Sequence, residues 1–229
     1  ITFKGKFGLT QAEENFLRRN NKRFQGVVLD IGANHGAYTN VIYRLAPTAR
    51  IFAFEPHPVT FAVLQSAIAA SPLITAINQA VADTTGQVKL FDFRAEDGST
   101  QASLSASAVT LFSPDIVAHA VDCTTIDQFR AEAKLDHIDL LKIDTEGHDL
   151  AVLIGAKTAL REHRIKLIQF EFIPANIATG ATMHRFFEAL HGYRIGRLCL
   201  NGTVRWLDRY DVKRCEIYVT HNLIAIPRR

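Results

Sequence analysis

Two groups of residues in this sequence have the types and spacing that chemistry requires. The first is Asp30-Ile-Gly-Ala-Asn-His-Gly36, with Glu55 after the next apolar run and Asp83 closing Ala80-Val-Ala-Asp83. The second is Lys142-Ile-Asp-Thr-Glu-Gly-His148, with Glu171 further on. Gly32 and Gly36 allow a tight turn and a close backbone approach to a ligand. A dinucleotide fingerprint would need glycine where Asn34 stands, so that a pyrophosphate could rest on the following helix. Asp30, beside the first glycine, repels a pyrophosphate and suits a ligand that carries an ammonium and a sulfonium.

S-adenosylmethionine carries both. Glu55, at a strand's carboxyl end, is placed to accept hydrogen bonds from two ribose hydroxyls, and Asp83 to meet an adenine amino group. Ala33, Asn34, Thr39, Pro56 and Ala82 flank these residues and, with Asp144, complete the expected cofactor contacts. In the second group, Lys142 and Asp144 share one face of an extended strand, and Glu146 and His148 continue it only if the strand runs past Gly147. Methyl transfer to an alcohol needs a base for the hydroxyl proton. His148 has an ordinary pKa of about 6.5, suited to that role; Asp144 or Glu146 suits it where burial raises the carboxyl. His148 also has a structural reading as a cap on the next helix, and Lys142 one as the buried partner of Asp144. Asp144 and Glu171 are the pair that would hold a divalent cation, a role nothing else in the sequence supports.

These groups fall where a β-α-β rhythm puts the carboxyl ends of strands. Apolar, β-branched runs at 27–31, 51–55, 73–81, 138–144 and 165–172 predict strands of a parallel sheet, with helices over 37–45, 58–70, 150–163 and 182–191. Thr10-Gln-Ala-Glu13 has capping-box spacing and opens a helix that ends near Asn20. Thr125 to Phe129 starts another helix. The alternating run 87–93 predicts an antiparallel strand added to the parallel set, and 193–198 and 215–219 alternate as well. Residues 94–114 are small and polar and predict a surface loop or a lid over the site. The expected fold is α/β, a doubly wound Rossmann-like sheet, mostly parallel with an antiparallel C-terminal strand. One domain is expected over 1–229, with 1–25 as an N-terminal helical extension.

In Val27-Val-Leu-Asp-Ile-Gly-Ala-Asn-His-Gly-Ala-Tyr-Thr39, Phe54-Glu-Pro-His-Pro58 and Leu140-Leu-Lys-Ile-Asp-Thr-Glu-Gly-His-Asp-Leu-Ala-Val-Leu-Ile-Gly-Ala156, the chain resembles the FkbM-type methyltransferases. Thr125-Ile-Asp127 and Phe170-Glu-Phe172 extend that resemblance in family order. It implies a seven-stranded class I methyltransferase fold, bound S-adenosylmethionine, and O-methylation of a hydroxyl on a sugar, glycolipid or secondary metabolite. The expected partner is therefore a small-molecule or glycan acceptor. The N-terminal 25 residues and the segment beyond 175 match no motif, and acceptor contacts are expected there. Two other functions remain compatible with the residues: a nucleoside-ligand binding module without turnover, and a nicotinamide-dependent oxidoreductase, which Asn34 disfavours.

Composition narrows the classes further. With 48% hydrophobic and 21% charged residues, the chain can build a globular core. A net charge of +3 leaves no footprint for a polyanion, and no nucleic-acid partner is expected. The basic stretch from Arg205 to Arg229 reads as a solvated face. Cys123, Cys199 and Cys215 are too widely spaced for a disulfide framework and suit a reducing compartment. No apolar run reaches the roughly 20 residues of a membrane span. The opening stretch lacks a signal-peptide core, so the expected location is cytoplasmic. The chain opens on Ile1 rather than Met, in keeping with residues removed upstream. Oligomeric state is not written in these residues.

Overall fold

A computed structural model describes residues 9–68, 71–95 and 98–228. Its first helix, α1 (Gln11–Asn20), begins at the predicted capping box. Thr10 Oγ1 accepts from the Glu13 amide at 3.3 Å, and the Glu13 carboxylate accepts from the Thr10 amide at 2.9 Å. Such capping is worth on the order of 1 kcal/mol. Then β1 (Val27–Ile31), α2 (Ala37–Leu45), β2 (Arg50–Phe54), α3 (Pro58–Ile68) and β3 (Ile74–Ile77) alternate as the sequence predicts. The last two residues of the predicted helix 58–70 lie outside the described residues.

The chain next builds a small second sheet from β4 (Ala80–Val81), β5 (Gly86–Phe93) and β6 (Ile116–Thr124), with α4 (Ala106–Thr110) between the last two. It returns to the first sheet through α5 (Ile126–Glu132), β7 (Leu140–Ile143), α6 (Asp149–Ile154), α7 (Lys157–Arg161) and β8 (Ile168–Phe172). After α8 (Ala175–Thr179) and α9 (Met183–Ala189) come β9 (Tyr193–Leu198), β10 (Val204–Leu207), α10 (Val212–Cys215) and β11 (His221–Pro227). The main sheet has eight strands in the order β10-β9-β11-β8-β7-β1-β2-β3, the small one three in the order β4-β6-β5. Strands β3, β2, β1, β7 and β8 run parallel, and β11, β9 and β10 join antiparallel.

The strand period of two divides the core. Leu29, Ile31, Phe52, Phe54, Leu141 and Ile143 pack on one face of the sheet with α6 and α9. Val28, Ile51, Ala53 and Leu140 pack on the other with Phe16 of α1 and Ile42 of α2. Asp30 and Lys142 belong to the second face, and the register β1·β7 sets them opposite each other. Among the described residues no helix is long and apolar enough to cross a membrane.

Five expectations need correction. The predicted strand 73–81 is two strands in different sheets: the Asn78 side chain donates to the carbonyls of Glu55 (2.8 Å) and Pro56 (3.0 Å) and breaks the run. The strand over 87–93 exists, but it pairs with β6 in the small sheet instead of extending the parallel set. The helix over 150–163 breaks at Gly155, where a Cβ would lie 2.0 Å from the Ala82 carbonyl, and Asp127 caps its second half through the Thr158 and Ala159 amides at 2.7 and 2.8 Å. Residues 215–219 alternate without becoming a strand, because β11 already has β8 and β9 on its two sides. The main sheet exceeds the implied seven strands by its edge strand β10.

Candidate active site

A cavity of about 530 Å³ opens at the carboxyl ends of β1, β2 and β7, where open parallel sheets place their ligands. Its two ends differ in material. One is formed by Gly32, Ala33, Asn34, Glu55 and Pro56, with Phe54, Val81 and Leu90 as apolar walls. The other is formed by Glu13, Lys142, Asp144, Glu146 and Glu171.

At the first end the chain turns sharply after β1. Gly32 has φ +75°, and a Cβ there would lie 1.8 Å from the Asp144 carbonyl, so this glycine serves the approach of β1 to β7 as well as the turn. Asn34 follows with φ +48°. Its amide donates to one oxygen of Glu55 and the His57 amide to the other, both at 2.9 Å. Burial raises the Glu55 carboxyl to about 7, while those two amides pull it back. The result is a carboxylate fixed by the main chain at the cavity wall. Its remaining lone pairs are free for the two donors of a vicinal diol.

At the second end Lys142 organises the acids. Its ammonium lies 3.3 Å from Asp30, 3.3 Å from Asp144 and 3.2 Å from the Gly32 carbonyl, 5.2 Å over the Tyr38 ring. Burial alone would lower this ammonium, but Asp144, Asp30 and Glu13 outweigh it and hold it well above its ordinary value. Asp30 also accepts from Thr39 Oγ1 at 2.6 Å. Asp149 accepts from the Thr145 hydroxyl (2.7 Å) and amide (3.1 Å) and from the Glu171 amide (2.9 Å), tying the turn after β7 to β8. That turn sets Glu146, at φ +50°, on the cavity wall. Burial, then Asp144 and Asp149, push the Glu146 carboxyl up to about 8. Burial likewise holds Glu171 well above the carboxylate range.

The predicted site residues divide accordingly. Gly32, Ala33, Asn34, Glu55, Pro56, Lys142, Asp144, Glu146 and Glu171 come together around the cavity. Asp30 and Thr39 lie behind its wall as the buried support of Lys142. Gly36, at φ +82°, starts α2 and leaves room for Leu64, which a Cβ would approach to 2.9 Å. Ala82 and Asp83 lie off the cavity, where Gln79, Ala80 and Val81 stand instead. His148 is also off the cavity: it begins α6, burial lowers its pKa, and Asp83 acts against that shift. Among the described residues no group of three or more His, Cys, Asp or Glu is arranged around a metal position.

The structure adds residues that sequence reasoning did not single out. Gln79 is one, and its signal was the polar Asn78-Gln79 pair inside an apolar run. Leu9, Thr10 and Glu13 bring α1 to the cavity. The segment beyond 175 contributes through Asn222, which bonds Gln169 and Glu171 from behind. Residues 99–104, from the predicted lid, also line the cavity. They are anchored by Asp92, which accepts from the amides of Gly98 (2.8 Å) and Ser99 (2.9 Å) and from the Ser99 hydroxyl, and which lies 3.6 Å from His57. Trp206, by contrast, packs on the second core face beneath Arg194, 4.7 Å from its ring.

Comparison with known proteins gives the family and the fold. The model of the methyltransferase FkbM domain matches residues 30–195. The 2-O-methyltransferase NoeI of Sinorhizobium fredii (strain NBRC 101917 / NGR234) is 28% identical over 152 residues, which are 60% of this chain and 60% of that protein. The chain thus spans about three-fifths of the length of this curated relative. Among solved structures, cofactor-bound Rv0187 from MTB superposes with a TM-score of 0.53 at 12% identity, over 98% of this chain and 84% of that one. Precorrin-6y C5,15-methyltransferase from Geobacter metallireducens GS-15 gives 0.51 at 16% identity, over 99% and 94%. At such identities the likeness is one of fold.

Proposed function

Because the chain belongs to the FkbM methyltransferase family, we propose that it binds S-adenosylmethionine at the Glu55 end of the cavity and methylates a hydroxyl of a sugar or other small polyol at the acidic end. The observation that carries this reading is Glu55, whose two oxygens are held by the Asn34 and His57 amides at 2.9 Å on the cavity wall. That donor set fits the group: a fixed carboxylate for the ribose diol, apolar walls at Phe54, Val81 and Leu90 for a purine, and Asp144 for positive charge. The cofactor supplies a methyl group already activated on a sulfonium. The relative NoeI, a 2-O-methyltransferase, supports oxygen as the acceptor atom.

The protein's own work is then positioning and proton removal. Holding acceptor and donor in line supplies up to roughly 7–11 kcal/mol in favourable systems. Glu146 takes the hydroxyl proton: it lines the cavity, and a carboxyl raised to about 8 is matched to proton transfer near neutrality. Lys142 fixes Asp144 beside it. Residues 99–104 act as the lid that keeps water out, with Asp92 as their anchor. The test is transfer of a labelled methyl group from S-adenosylmethionine to a panel of glycosides and small alcohols. Label is expected as an alkali-stable methyl ether. Tight cofactor binding with no transfer to any hydroxyl would instead leave a nucleoside-binding module.

A further inference from the structure

The acidic end of the cavity holds more acids than it has cations to pair with them. Among the described lining residues Lys142 is the one cation, and Asp30 and Asp144 already share its charge at 3.3 Å each. Glu13 and Glu171 are fixed by neutral groups. The Gln169 side-chain amide donates at 2.9 Å to Glu13 and at 2.9 Å to Asn222, whose own amide donates at 3.0 Å to Glu171. The Tyr38 hydroxyl, donating to the Gln169 oxygen at 2.8 Å, sets the direction of the whole chain of bonds. Glu13 is held further by the Thr10 amide and hydroxyl, at 2.9 and 2.7 Å. Two acids from α1 and β8 are thus locked at the cavity wall by parts far apart in sequence.

Without a cation beside them, burial holds Glu13 and Glu171 toward their protonated forms, and an ammonium that meets them restores the charged pair. A bound S-adenosylmethionine brings one net positive charge, and the acids of the cavity still exceed the cations. An acceptor bearing a carboxylate or phosphate would find only Lys142, whose charge Asp30 and Asp144 already share. We infer that the acceptor is a polyol bearing a protonated amine, an amino sugar or aminocyclitol, whose ammonium is recognised by Glu13 and Glu171. This rests on the methyl-transfer reading and adds the charge of the substrate to it. The Gln169–Asn222 bridge is what keeps the two acids in register for an ammonium.

The test compares glycosides that share their ring and differ in charge: methyl glucosaminide, its N-acetyl derivative, methyl glucoside and methyl glucuronide. Each is offered to the whole chain with labelled S-adenosylmethionine at neutral pH. The free amine should be used with a kcat/KM at least about tenfold above the N-acetyl and neutral glycosides, as expected for a desolvated charge pair, with the glucuronide last. Glu171→Gln should collapse that preference while the cofactor Kd stays unchanged. Glu13→Gln, which keeps the capping box, should do the same. Equal or better use of the N-acetyl or neutral glycoside overturns the inference, and so does failure to methylate any amine by a protein that binds the cofactor. Failure to bind the cofactor overturns the methyl-transfer reading itself and is measured separately by calorimetry.

Discussion

At the Glu55 end of the cavity, main-chain amides from nearby in sequence hold the functional side chain, whereas at the Glu171 end side chains from α1, β8 and β11 hold one another. The first end is written in one loop and one strand terminus. The second exists only when these three segments have folded together. A site built from backbone can be kept across relatives with different acceptors; a site built from side chains can be re-cut for each acceptor. The Glu55 end falls wholly inside the family match over 30–195; of the other end, Lys142, Asp144, Glu146 and Glu171 fall inside it and Glu13 and Asn222 outside.

Lys142 is the hinge of this comparison, since it touches both ends, and its loss should have the largest effect. Lys142→Met leaves Asp30 buried without its cation and should cost about 3–5 kcal/mol of folding stability in denaturant titration. A loss below about 1 kcal/mol would mean the acids are held by other means. Next comes Glu146→Gln, which removes the proposed base. Turnover should fall roughly 10²–10⁴-fold with cofactor affinity unchanged. In the wild type, kcat should rise with pH toward a plateau above about 8, because Glu146 must lose its proton to act.

Legibility followed the same division. Gly32, Asn34 and Glu55 announce themselves through local spacing. So do Thr10 and Glu13 as a cap, although nothing in their spacing says that Glu13 reaches the cavity. Gly32 was readable as necessary but for half its reason, since the backbone it makes room for belongs to Asp144. The small sheet was illegible: β4 has only two residues, and β6 pairs with β5 across the polar segment between them. Residues 215–219 show the converse, a strand pattern beside a strand, β11, whose two sides are already taken by β8 and β9. Gln169, with no exposed surface, looks in sequence like one polar residue in an apolar strand; only the register with Lys142 and Ile224 reveals it as a bridge.

A smaller effect should appear in the free protein's stability. Glu55 and Glu146 have folded pKa values of about 7 and about 8 against an ordinary 4.5, so the folded state binds more protons than the unfolded one between those limits. Their contribution is present below pH 4.5 and lost as pH rises through the folded values. Melting of the cofactor-free protein should therefore drop between pH 6 and 8.5, at roughly 2–4 °C per kcal/mol, and Glu146→Gln should flatten the slope. Smallest of all is His148→Ala. Its side chain is off the cavity, so turnover should change far less than the roughly 10²–10⁴-fold of a lost base. A fall as deep as that of Glu146→Gln would move the base to His148.

The most direct measurement is calorimetric titration of S-adenosylmethionine into the wild type and into Glu55→Ala. One site per chain is expected, weakened roughly 10²–10⁴-fold in the variant by loss of two hydrogen bonds to a charged group. Equal affinity in the two proteins, or displacement of the cofactor by NAD, would contradict a donor site built around Glu55.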